Sequence, residues 1–274
     1  MTDFASWLLQ PVKPIRSEYS DSARNRQNQL TKPPGSLGQL ESLAIKIAGL
    51  QATEFPDVTH IQITIYAADH GVMAEGVSAF PQSVTAAMIR NFANGGAAIS
   101  VLAKSLNAKL DVINLGTVTI LEDILGVTDM RIAAGTANFY HSAAMTEDQM
   151  QQAMLIGRDN VLKDDNIQLY IAGEMGIGNT SSATALAASL LNCDPETLVG
   201  PGTGLDNQGV SHKLAIIREA LSRHQLAIGT NPDKALQFLG GFEIAAMTGA
   251  YLACAKQGIP TLIDGFISSV AALA

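Results

Sequence analysis

Hydrophobic positions along the chain fall into short apolar runs that alternate with longer amphipathic or small-residue stretches. Ile61 to Ala68 (IQITIYAA) is rich in β-branched residues and predicts a strand ending at Asp69-His70-Gly71. Ala108 to Leu115 (AKLDVINL) predicts a second strand, Arg131 to Ala134 a short third, Ile167 to Ala172 a buried fourth and Thr261 to Ile263 a last one. Between them the spacing predicts helices over 82–92, 97–106, 146–162 and 242–256, with another after Gly204 that carries His212, Lys213 and Arg218. Ahead of the first strand, Phe4 to Leu9 forms a short amphipathic piece and a helix is expected from about Ser20 to Leu30. Pro33, Pro34 and Gly35 then break the chain, and Ser36 with Gln39 reads as a capping box for a helix over 37–50. Strands alternating with helices predict an α/β fold, a mostly parallel sheet covered on both faces. The expected division is an amino-terminal helical region, 1–56, and an α/β domain, 57–274.

Polar and glycine residues recur just past the strand ends, where open sheets of this kind bind ligands. That gathers Asp69, Glu174 and Asp264 on one rim. The stretch IQLYIAGEMGIGNTSSATALAASLL is the focus. An apolar run leads into a turn with Gly173, Gly176 and Gly178, and Asn179, Thr180, Ser181 and Ser182 offer N-caps for the helix that follows. Free backbone amides and the positive end of a helix at one spot suit a phosphate. A second glycine turn, Gly200, Gly202 and Gly204, stands ready to supply more amides. Glu174 is the anomaly, because an acid in an apolar glycine turn is costly to bury without a task or partner. His70 reads as a structural hydrogen-bonding residue at a strand end, whereas Lys32 leaves a solvated and a functional role open.

Composition narrows the classes. Hydrophobic residues make up 47% and charged residues 15%, which excludes a disordered chain. A net charge of −8 argues against a nucleic-acid-binding face. Cys193 and Cys254 are expected to be buried free thiols, and the histidines lack ligand spacing, so no metal is expected. G-x-x-G-x-G at 173–178 is not a dinucleotide fingerprint, and no Walker lysine follows. MTDFASWLLQ lacks the form of a secretory leader and no run approaches the ~20 apolar residues of a membrane span. A soluble, cytoplasmic protein without membrane association is the expectation.

Five segments together carry a resemblance: LTKPPGSLGQLE, ADHGVMAEGVSAFPQSVT, GEMGIGNTSSATAL, GGFEIAAMTGA and LIDGFISSVAALA, in that order from about Arg24 onward. The chain resembles the nicotinate-nucleotide:dimethylbenzimidazole phosphoribosyltransferase family, which makes the lower-ligand nucleotide of cobalamin. The resemblance implies a Rossmann-like sheet, a small helical region, a homodimer, no cofactor, and nicotinate mononucleotide and dimethylbenzimidazole as substrates. It implies catalytic roles for Glu174 and, near the ribose, Asp264. The phosphate would rest on Gly176, Ile177, Gly178, Asn179, Gly202 and Gly204, with Lys213 as a point charge. Phe80, Pro81 and Met88 would line the benzimidazole pocket; some relatives carry polar residues at the first and third of these. The family's principal base is a glutamate in a later R-L-G-E-G-[ST]-G-like segment, which this sequence lacks. A fragment, a chain relying on Glu174, or a non-catalytic binder of benzimidazole or ribazole phosphate are the expectations that follow.

Overall fold

A computed structural model describes residues 4–274, so the first three residues of the expected helical region and of the leader reading lie outside the described residues. Three helices lead: α1 (Phe4–Leu8), α2 (Ser17–Gln29) and α3 (Gln39–Gln51). The α/β part follows as β1 (Ile61–Ala68), α4 (Ser83–Ala93), α5 (Ala98–Ser105), β2 (Lys109–Gly116), β3 (Val127–Asp129), α6 (Glu147–Leu162) and β4 (Leu169–Met175). It ends with α7 (Asn179–Leu191), α8 (Asn207–Ile228), α9 (Pro232–Leu239), α10 (Phe242–Gln257), β5 (Thr261–Leu262) and α11 (Phe266–Leu273). The five strands pair in parallel in the order β3-β2-β1-β4-β5. Strand order therefore reverses between β1 and β4, and a crevice opens where their carboxyl ends diverge.

Period-two alternation divides the core in two. Tyr66, Ala68, Ile113, Leu115, Tyr170 and Ala172 face a thick layer built from α6 to α11. Ile63, Ile65, Ala67 and Val112 face the thinner layer of α4 and α5 through Ile89, Phe92 and Ala103. Helices thus cover both faces, as the alternating pattern predicts. Trp7 of α1 inserts into the thick layer, with the Arg158 guanidinium 5.3 Å from its ring centre.

In the thick layer α6 and α10 cross at van der Waals contact of their backbones. A Cβ on Gly157 would lie 1.8 Å from the Ala246 carbonyl oxygen, and one on Gly249 would lie 2.0 Å from that of Met154. These glycines are reciprocal, one on each helix, and set how closely α10 approaches.

Several local expectations are corrected. The helix at 37–50 begins at Gln39 with Gly38 at its N-cap, and the Ser36–Gln39 box does not form. Glu41 takes over instead: its carboxylate accepts from the Leu37 amide and pairs with Lys32 at 2.7 Å, a charge-assisted arrangement stronger than a hydroxyl cap. The third strand is 127–129, not 131–134. Single bonds from the Met130 and Ile132 amides to β2 continue past it while Arg131 turns its guanidinium to the Thr117 carbonyl. Strand β4 runs on through Gly173 and Glu174, which pair with Ile65 and Tyr66. Gly173 is therefore a packing glycine, since a Cβ there would meet the Ile65 side chain at 2.5 Å. Helix α9 was not anticipated, although Asn231 caps it and Pro232 opens it. Cys254 is a buried free thiol, while Cys193 is only half-buried.

Gly249→Ala is expected to lower stability by about 1–3 kcal/mol, because the backbone clash outweighs the ~1 kcal/mol gain in helix propensity. Urea unfolding checks it; an unchanged or raised midpoint would show that the two helices can separate without cost.

Candidate functional site

The crevice between β1 and β4 holds the polar residues that the thick and thin layers exclude. Past β4 the chain turns sharply at Gly176-Ile177-Gly178 and enters α7. Gly176 rides on the end of β1, where a Cβ would lie 2.3 Å from the Ala68 carbonyl oxygen. Gly178 is the N-cap of α7 with φ of 101°, a left-handed conformation that disfavours side chains. The Ile177 amide donates to the Thr85 hydroxyl at 3.1 Å, which ties the turn to the first part of α4. The expected side-chain caps point elsewhere. Asn179 donates to the Glu174 carboxylate, and Ser182 donates to the Leu239 carbonyl at 2.5 Å. No side chain caps the first turn of α7, but three of the amides expected to meet a phosphate are already used: Ile177 by Thr85, Asn179 by the Gly176 carbonyl and Gly204 by the Pro201 carbonyl.

A second loop closes on the first. Gly176 to Thr180 and Pro201 to Thr203 line one narrow cleft of about 20 Å³, with Val77 and Ser78 on its third side. The structure thus brings together Gly176, Ile177, Gly178, Asn179 and Gly202; Gly204 lies one residue beyond this lining. Lys213 of α8 sits beneath both loops and not in the open. It is buried, and its ammonium donates to Thr180 Oγ1 at 2.8 Å and to the Gly200 carbonyl at 3.5 Å. Burial without a carboxylate partner among the described residues pulls its pKa down to about 8.

Glu174 stands at the tip of β4, half-buried. Burial, then repulsion from Glu243, raise its pKa to about 7, with Asn179 and His70 acting in the opposite direction. Asp69, at the end of β1, is fully buried and accepts from the Val118 amide at 2.8 Å. Desolvation pushes its carboxyl up as well. His70, expected to be structural, makes a 2.6 Å contact through Nε2 with Glu243 Oε1, and both side chains are completely buried. Glu243 escaped the residue-by-residue reading. Its signal was available: it is the one acid in the otherwise apolar stretch FEIAAMTGAYLACA. Thr85, which anchors the turn, gave no signal.

The other expected residues are less converged. Asp264 is exposed on the same rim, two residues past β5, and does not line the cleft. Phe80 is exposed and Pro81 beside it leads into α4, whose half-buried Met88 packs in the thin layer with Met175. Met88 lies three residues after Thr85, so the two share one face of α4.

A family model described as "Phosphoribosyltransferase" matches residues 12–274. The chain belongs to this phosphoribosyltransferase family. It is 54% identical over 270 residues to the nicotinate-nucleotide–dimethylbenzimidazole phosphoribosyltransferase of Pseudomonas putida, covering 98% of this chain and 77% of that relative. The protein of the same name from Pseudomonas fluorescens is 56% identical over 275 residues, covering 100% of this chain and 78% of the relative. The crystal structure of CobT from Thermus thermophilus superposes with a TM-score of 0.88 at 41% identity, over 93% of this chain and 77% of that one. The phosphoribosyltransferase described here therefore spans about three quarters of the length of these relatives.

Lys213 makes the stability of this phosphoribosyltransferase pH-dependent. Its folded pKa lies below the 10.5 of an ordinary lysine, so the unfolded chain binds more protons between about 8 and 10.5. Stability gains its Lys213 contribution as pH rises through that window and lacks it below about 8. Lys213→Met is expected to flatten this part of the profile in urea unfolding at several pH values. An identical slope in the variant would show that the ammonium is solvated.

Proposed function

We propose that this phosphoribosyltransferase moves 5-phosphoribosyl from nicotinate mononucleotide to 5,6-dimethylbenzimidazole in assembly of the cobalamin nucleotide loop. The products are α-ribazole 5′-phosphate and nicotinate. The observation that carries the reading is the meeting of two glycine loops across one small cleft, with the Glu174 carboxylate bonded to the Asn179 that lines it. The phosphate would rest against the loops at Gly176–Asn179 and Gly202–Gly204, taking those of their amides that are not already bonded within the protein, at the positive end of α7. Lys213 beneath supplies the positive charge. A protein of net charge −8 needs such local groups to attract an anion.

The chemistry asks little of an acid. One benzimidazole nitrogen attacks C1′ as the bond from C1′ to the pyridinium nitrogen breaks. That electron pair returns to the nicotinate ring and cancels its positive charge. Attack from the opposite face turns the β-linkage into α. The second benzimidazole nitrogen must lose its proton, and a carboxylate tuned near neutrality suits that transfer. Glu174 is the base in this reading, Asp264 faces the ribose, and Phe80, Pro81 and Met88 hold the benzimidazole ring. None of these steps calls for a metal or organic cofactor. The chain is proposed to act as a cytoplasmic homodimer on small-molecule substrates; among the described residues no helix is long and apolar enough to cross a membrane. The non-catalytic binder is the weaker reading, because relatives named for the transfer match through nearly the whole chain.

Nicotinate release from the two substrates tests the function, and no release at high enzyme would refute it. The rate is expected to fall as pH drops through about 7, where Glu174 takes up a proton. Glu174→Gln is expected to lose about 10²–10⁴ in turnover while nicotinate mononucleotide affinity stays within a few-fold. Unchanged turnover would remove Glu174 from the reaction.

A further inference from the structure

One continuous segment borders both proposed subsites. Val77 and Ser78 line the phosphate cleft, Phe80 and Pro81 follow at once, and α4 carries Met88 on the face that it shares with Thr85. The start of α4 is pinned at two points. Gln82 Nε2 donates to the His70 carbonyl at 3.0 Å, which fixes the helix to the end of β1. The Ile177 amide donates to Thr85 Oγ1 at 3.1 Å, which fixes it to the turn after β4. Among the described residues this is the single hydrogen bond between residues 176–179 and α4. Thr85 and Ile177 are both buried, so solvent does not stand in for the hydroxyl as acceptor. Of the side chains that α4 buries, Ala86, Ile89 and Phe92 are apolar and Thr85 is the polar exception.

We infer that Thr85 is a positioning residue that sets the separation of the two substrate subsites, its hydroxyl joining Ile177 of the phosphate loop to the helix that carries Met88 and follows Phe80-Pro81. This deepens the proposed function and rests on it. The nucleotide's phosphate lies on one side of the bond and the benzimidazole on the other. Its length therefore enters the distance between C1′ and the attacking nitrogen. Such atoms react from about 3–3.5 Å, and a misplacement of about 1 Å costs on the order of 10²-fold in rate. Without the hydroxyl a buried amide loses its acceptor, and the loop must shift to pair it again. Neither subsite is dismantled by that shift, because Gly176 stays packed on the end of β1 and Gln82 still holds the start of α4. The loss falls on a ligand that touches both subsites at once, and on the transition state, rather than on either substrate alone.

The test compares the whole chain in wild-type, Thr85→Val and Thr85→Ser forms. Valine keeps the shape and removes the hydroxyl; serine keeps the hydroxyl. Calorimetry measures three ligands separately: nicotinate mononucleotide, dimethylbenzimidazole, and α-ribazole 5′-phosphate, which spans both subsites. In Thr85→Val the spanning ligand should bind about tenfold more weakly, while each substrate alone stays within about twofold. Turnover should fall about 10–100-fold with KM for either substrate changed by no more than about threefold. Thr85→Ser should restore turnover and α-ribazole 5′-phosphate affinity to within about threefold of wild type. Thr85→Ala lacks the same hydroxyl and suits a helix, so it replaces Thr85→Val should the valine form not fold, with the same result expected. An equal loss for all three ligands, an unaltered affinity for the spanning one, or a serine form as impaired as the valine form would overturn the inference. Each of those outcomes leaves the proposed function standing. Wild-type chain that binds neither nicotinate mononucleotide nor α-ribazole 5′-phosphate defeats the proposed function, and the inference falls with it.

Discussion

Gly176 lies so near the end of β1 that a single added carbon would stand 2.3 Å from the Ala68 carbonyl oxygen. That contact fixes the turn between β4 and α7 against the sheet, directs the α7 amides into the crevice, and leaves Glu174 at the strand tip beside them. Everything polar in the site is arranged around it. Thr85 reaches up from α4 to hold the Ile177 amide, His70 fills the space below, and the loop at 201–203 closes the cleft from α8. Reversal of strand order between β1 and β4 supplies the crevice, and glycine lets the backbone fill it without blocking it.

Charge is distributed with the same economy. Three carboxylates, Asp69, Glu174 and Glu243, crowd the strand ends, an arrangement that would repel phosphate if all were free. Glu243 is bound to His70, Asp69 accepts an amide in the interior, and Glu174 is pushed toward neutrality by its surroundings. The cost of burying these groups is borne by a thick, tightly crossed helical layer, in which α6 and α10 touch backbone to backbone through reciprocal glycines. Stability built there is available to hold strained and charged groups at the rim.

Much of this was legible in the sequence. The apolar runs located β1, β2 and β4 because each buries a row of apolar side chains in the sheet's interior. Gly176, Gly178 and Gly202, singled out in the sequence as glycine turns, line one cleft. What escaped depends on tertiary neighbours. Gly173 looks like a turn glycine, yet its reason is the Ile65 side chain across the ladder. Ser36 looks like a cap, yet Glu41, paired with Lys32, takes the Leu37 amide and the helix begins at Gln39 without the box. Lys213 stood out in the sequence, but not its buried place beneath the loops. Glu243 needed only attention to one acid in an apolar helix, whereas Thr85 is indistinguishable from any helix-surface threonine until the fold brings Ile177 to it.

The central claim is that two small-residue loops, one at the tip of β4 and one ahead of α8, grip a sugar phosphate beside an acid. A crystal structure of the chain with nicotinate mononucleotide tests it most directly. The phosphate oxygens should lie within hydrogen-bonding reach of those amides in residues 176–179 and 202–204 that are not already bonded within the protein, with C1′ turned toward Glu174. A phosphate bound elsewhere, with these amides left to solvent, would contradict the account.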